Sequence, residues 1–134
     1  MALSKISNTM LVSPPTEAIG ITIDGAGSVI TVGSKGTIGI KYGFTIDSYY
    51  FLAAPSESGS LSIDIKTGTY STYPTMGSIV GGNYAAITSG VKNFDSTLTS
   101  WTTTIPTGTM IEYLVTGVPS GITKATLTIN VTKA

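Results

Sequence analysis

The chain has no cysteine, no histidine and no arginine. Without thiols there can be no disulfide, no thiolate zinc site and no cysteine nucleophile. Without imidazole the side chain best suited to moving protons near neutral pH is missing, and with it the commonest nitrogen ligand for metals. Without guanidinium there is no planar fork to grip phosphates or carboxylates at two points. A serine triad would have no base, and no G-x-S-x-G elbow is present. Carboxylate chemistry remains, but Glu17, Asp24, Asp47, Glu57, Asp64, Asp95 and Glu112 are scattered over turns and outward strand positions. That spread fits solvated charges better than a glycosidase pair or a dedicated calcium loop. "GAGSVI" (25–30) lacks the third glycine of a dinucleotide fingerprint and has no helix after it. The expectation is a chain that is not an enzyme, with no cofactor, no metal and no catalytic residue.

Charge is scarce as well. Seven basic and seven acidic residues cancel, and charged residues make up only 10% of the chain, against roughly a quarter in an average domain. No basic footprint exists for nucleic acid or an anionic membrane. A surface rich in hydroxyls and poor in net charge does little to keep copies apart, so it suits a protein that works against its neighbours.

Long apolar runs are absent too, and none approaches the roughly 18 residues a membrane helix needs. The N-terminal "MALSKISNTMLVSPP" has only Met10, Leu11 and Val12 as a continuous apolar stretch, too short for a secretory core. Pro14 and Pro15 end any helix begun there. Residues 1–18 read as an arm, and Leu3, Ile6, Met10, Leu11 and Val12 are the side chains through which it would hold a neighbouring subunit.

What is present is alternation. Ile19, Ile21 and Ile23 take turns with Gly20, Thr22 and Asp24. "SVITVG" then runs back, residues 37–42 alternate, and "FTIDSYYFLAA" follows. "SLSIDIK" sends Leu61, Ile63 and Ile65 inward and Ser62, Asp64 and Lys66 outward. Residues 67–94 mix Gly, Pro, Ser and Tyr without a period and read as a long loop with at most one short strand. Ile111, Tyr113 and Val115 share one face, and Ala125, Leu127, Ile129 and Val131 another. About eight short strands joined by Gly/Pro turns predict an all-β fold over 19–134, an antiparallel β-sandwich of jelly-roll type preceded by the arm.

Trp101 shares parity with Ile105 just before a turn, which predicts a core anchor more than a ligand platform. Tyr70, Tyr73 and Tyr84, with Asn83, lie in the irregular stretch. They would serve either a subunit contact or the face of a sugar. Tyr49 and Tyr50 are adjacent on a strand, so one points in and the other out.

"IDGAGSVITVGSKGTIGI" (23–40), "GSLSIDIKTGTYSTYP" (59–74) and "DSTLTSWTTTIPTGTMIEYLV" (95–115), in this order, resemble a small jelly-roll module of bacteriophage virion structural proteins. The resemblance spans about residues 19–132. It departs at Asp64-Ile65-Lys66, where the module usually carries a tryptophan, and at Gly108-Thr109, where it carries Gly-Asp. It implies a virion protein made in the host bacterial cytoplasm: a capsid cement or decoration, or an appendage subunit, typically a homotrimer. Its partners would be copies of itself and other virion proteins such as the major capsid protein. The alternative it implies is a receptor-binding tail-fibre module that holds a host surface glycan.

Overall fold

The computed structural model describes residues 15–134. The arm residues Leu3, Ile6, Met10, Leu11 and Val12 therefore lie outside the described residues. All regular structure from Pro15 onward is extended. In chain order the strands are β1 (Thr16–Asp24), β2 (Gly33–Ile40), β3 (Phe44–Ala53), β4 (Gly59–Thr69) and β5 (Gly77–Ser78). They continue with β6 (Ala85–Gly90), β7 (Lys92–Asp95), β8 (Thr104–Ile105), β9 (Thr109–Ser120) and β10 (Lys124–Lys133).

Two antiparallel sheets stack face to face. One has the order β1-β10-β3-β7, with β8 also on β3, and the other β2-β9-β4-β5, with β6 also on β4. β7 and β8 share one edge of β3, and β5 and β6 share one edge of β4. The ten segments therefore fill eight lanes, and each sheet is four strands wide. Strands that follow one another mostly fall in opposite sheets, which is the jelly-roll winding. The structure thus has ten strands where the sequence predicts about eight.

Inward residues follow the alternation. Leu61, Ile63 and Ile65 from β4, Ile111, Tyr113 and Val115 from β9, and Ala125, Leu127, Ile129 and Val131 from β10 are all buried. They form one core with Phe44, Ile46, Tyr49 and Phe51 of β3. Burying each large aliphatic side chain contributes about 1.5–3 kcal/mol.

Four expectations need correction. Asp64, expected as a solvated outward charge, is buried, and its carboxylate accepts from the Ser78 hydroxyl (2.6 Å). β1 begins at Thr16 and pairs with β10 from Thr16↔Thr132 onward. Residues 16–18 thus belong to the sandwich rather than to the arm. "SVITVG" does not form a strand. Ile30 is buried, and its amide donates to the Ile122 carbonyl (3.0 Å) instead of to a ladder. The chain closes one end of the sandwich there, and β2 starts only at Gly33. The "loop" of 67–94 holds β5, β6 and most of β7. Their inward contributions are few, with Ala85 and Ile87 the buried residues of β6, so no period rises above the surrounding Gly, Ser and Thr.

Candidate interaction surface

β3 carries the decisive pair of neighbours. Tyr49 points inward and is buried, and Tyr50 points outward, 47% exposed. Tyr49 stacks on Trp101 with ring centroids 5.6 Å apart and planes 8° from parallel. Its hydroxyl accepts hydrogen bonds from Asn93 Nδ2 (3.1 Å) and the Ala86 amide (3.3 Å). Burial pushes the Tyr49 phenol up; the Ala86 hydrogen bond opposes that shift and the nearby Asp95 carboxylate adds to it. Trp101 is 8% exposed, and its indole Nε1 donates to the Asn83 carbonyl (2.7 Å). Trp101 is a core anchor as expected, but it reaches the core from a loop and not from the strand that its parity with Ile105 presupposes.

Asn83 is drawn into the same frame. Its side-chain Nδ2 donates to the Thr99 carbonyl (2.8 Å), its backbone amide to the Val80 carbonyl (3.0 Å). With its carbonyl taken by Trp101, it ties the β5–β6 connection to the 96–101 loop rather than offering a free amide to a sugar. Asp95 supports that loop by accepting from the amides of Thr97 (2.8 Å) and Leu98 (3.3 Å).

The loop tyrosines stay apart. Tyr70 is 82% exposed, and Tyr73 and Tyr84 are exposed as well. Tyr70 and Tyr73 sit on the β4–β5 turn, which reciprocal Thr69–Thr72 hydrogen bonds hold together. None of the ring pairs found among the described residues includes Tyr70, Tyr73 or Tyr84.

A different cluster does assemble. On the outer face of the β1-β10-β3-β7 sheet, Tyr50 meets Phe94 of β7 with ring centroids 4.8 Å apart. Leu52 lies two residues along the same face, 47% exposed, and Phe94 is 51% exposed. Tyr50, Leu52, Lys92, Asn93 and Phe94 line an open groove of about 560 Å³. A second groove of similar volume adjoins it at Leu52 and runs past Ala54, Pro55, Lys124 and Thr126. The sequence placed one of Tyr49 and Tyr50 outward. It concealed Phe94, whose strand lay inside the apparent loop. Leu52 was legible from its shared parity with Tyr50 once the strand's faces were assigned.

This sheet carries charges of both signs, Glu17, Asp24, Asp47 and Asp95 against Lys92, Lys124 and Lys133. The ion pair found among the described residues joins Lys133 to Glu17 (3.0 Å), and Lys133 also lies over the Tyr42 ring, 4.6 Å from its centroid. Glu57 spends its carboxylate on the Thr123 hydroxyl and on the amides of Thr123 (2.9 Å) and Lys124 (3.2 Å). The Thr123 hydroxyl, more than the amides, holds its carboxyl below the usual range. Among the described residues no group of three or more acidic side chains comes together in a way that could hold a metal ion. Neither a protein-family model nor a curated protein matches the chain. The functional reading therefore rests on the residues, their geometry and the motif resemblance.

Proposed function

We propose that this chain is a non-enzymatic bacteriophage virion structural protein, a capsid cement or decoration or an appendage subunit, that acts by adhering to neighbouring subunits. One observation carries the reading. Tyr50, Leu52 and Phe94 form a half-exposed apolar cluster on one sheet face, in a chain with no net charge to keep neighbours away. Many modest contacts repeated by symmetry would then stabilise a particle. Residues 1–14, with Leu3, Ile6, Met10, Leu11 and Val12, would add a second contact. Because β1 starts at Thr16, a deletion that tests the arm should stop at residue 14.

Immunogold electron microscopy of particles released from producing cells tests this reading. Label on head, tail or appendage is the expected result. Protein recovered only in the particle-free fraction contradicts it.

A second reading has its own support in Tyr70, 82% exposed on a well-held turn, as an aromatic platform for a host glycan. Under it, Tyr70→Ala with Tyr73→Ala abolishes adsorption to host cells and leaves particle incorporation intact.

A further inference from the structure

We propose that the outer face of the β1-β10-β3-β7 sheet docks against the same face of a second copy of this chain, the strands of the two copies running in opposite directions. This names the partner of the surface described above and so rests on that reading.

The apolar cluster and the charges lie at defined places along the strands. Tyr50 is in register with Thr128, and Leu52 with Thr126. Lys124 lies two residues beyond Thr126 on the same outward face, and Lys92 rims the Tyr50–Phe94 groove. This end of the face is apolar and presents the Lys124 and Lys92 ammonium groups beside the Asp24 and Glu57 carboxylates. The other end is acidic. Asp47, the extra residue at the bulge opposite Asn130 and Val131, is exposed and accepts a hydrogen bond from the Thr132 hydroxyl (2.6 Å). Between the ends, Thr126, Thr128, Asn130 and Thr132 present short polar side chains that let two sheets approach. Asp24 is opposite Lys124 in register, but its Oδ1 is turned back onto the Ala26 amide (2.8 Å). Glu57 is saturated by the Thr123–Lys124 turn.

Thr128 lies midway between Lys124 and Thr132. A two-fold axis crossing the strands at the Thr128–Tyr50 level therefore sets Lys124 of each copy over the Thr132–Asp47 pair of the other. It also brings Tyr50 beside its own counterpart and covers Leu52. A two-fold axis along the strands would instead keep every residue at its own level and leave Lys124 away from Asp47 of the other copy. Four strands about 4.8 Å apart and about nine residues long give a face of about 19 Å by about 30 Å. Two such faces bury on the order of 1,100 Å², above the roughly 1,000 Å² a specific interface needs. Packed sheets cross at about 30°, which the twist of each sheet allows.

The opposite face of the sandwich lacks this combination. Lys66 and Glu112 stand opposite each other there, Asp64 takes a hydrogen bond from Ser78 (2.6 Å), and Met110 and Leu114 are less exposed than Tyr50, Leu52 and Phe94. The two-fold pairing differs from the trimer that the resemblance implies.

Light scattering on the full chain after size exclusion reads the outcome. The expected mass at low salt is twice the chain's 13.8 kDa, falling toward one chain as salt screens the Lys124–Asp47 contacts. Leu52→Asp gives a monomer. Lys124→Asp or Asp47→Lys alone weakens the dimer at least about tenfold, since each contact occurs twice, and the double variant Lys124→Asp/Asp47→Lys recovers it. Trp101 emission confirms that each variant is folded. A monomeric wild-type chain, a trimer, a dimer indifferent to Leu52→Asp, or no recovery in the double variant would overturn the proposal. Particle labelling with a monomeric chain would leave the virion reading standing and remove only this one.

Discussion

Tyr113 is fully buried, and its hydroxyl finds no hydrogen-bond partner among the described residues. A phenol in that position forfeits its hydration and gains nothing in return. Tyr113→Phe should therefore stabilise the fold by about 1 kcal/mol, seen as a higher urea midpoint with unchanged slope. Burial also raises the Tyr113 phenol from its ordinary 10.0 to about 12. As pH rises through that window the unfolded chain gives up this proton while the folded chain keeps it, so the wild type loses stability there. Tyr113→Phe should lose less over the same range. Glu57 works in the opposite direction. Its lowered carboxyl contributes stability above the usual carboxylate range, which is lost as pH falls through the lowered value. Glu57→Gln should be less stable than wild type at neutral pH and show a flatter acid limb. Trp101, the single tryptophan, reports on all of these variants. Its buried stacking on Tyr49 predicts blue-shifted emission that moves red on unfolding. Trp101→Phe should cost about 1–3 kcal/mol by leaving the Asn83 carbonyl without its donor.

Elements differ in how plainly the sequence announces them. β4, β9 and β10 were legible because each has a stretch where alternate residues are buried apolar side chains, 61–65, 111–115 and 125–131. β5, β6, β7 and β8 were not. Two to six residues long, they each complete only part of an edge lane, and hydrogen bonds to β3 and β4 hold them in place of a hydrophobic stripe. The same gap hid Phe94, and with it the candidate surface. Asn83 looked available for the converse reason: nothing in the sequence reveals that Thr99 and Trp101 take up its groups. Glycines also carry element-level information that composition hides. A Cβ at Gly20 of β1 would overlap the Leu127 carbonyl oxygen of β10, whereas a Cβ at Gly77 meets nothing within 4 Å. Gly20→Ala should cost about 1–3 kcal/mol by forcing β1 off its partner, and Gly77→Ala should stay within about 0.5 kcal/mol of wild type. Chemical denaturation of the two variants side by side checks the contrast.

At the scale of the whole molecule, the winding buries one core of alternating aliphatic and aromatic side chains and leaves Tyr50, Leu52 and Phe94 exposed on one sheet face, with Asp47 toward its other end. Fold class followed from alternation and turn chemistry alone. The working surface did not, because it depends on which lanes β3 and β7 occupy, and the winding decides that. Hydroxyl-radical footprinting of the protein in its assembled form tests the central claim most directly. Protection of Tyr50, Leu52 and Phe94, with Tyr70 still oxidised, is the predicted result; free oxidation of those three together with protection of Tyr70, Tyr73 and Tyr84 would contradict it.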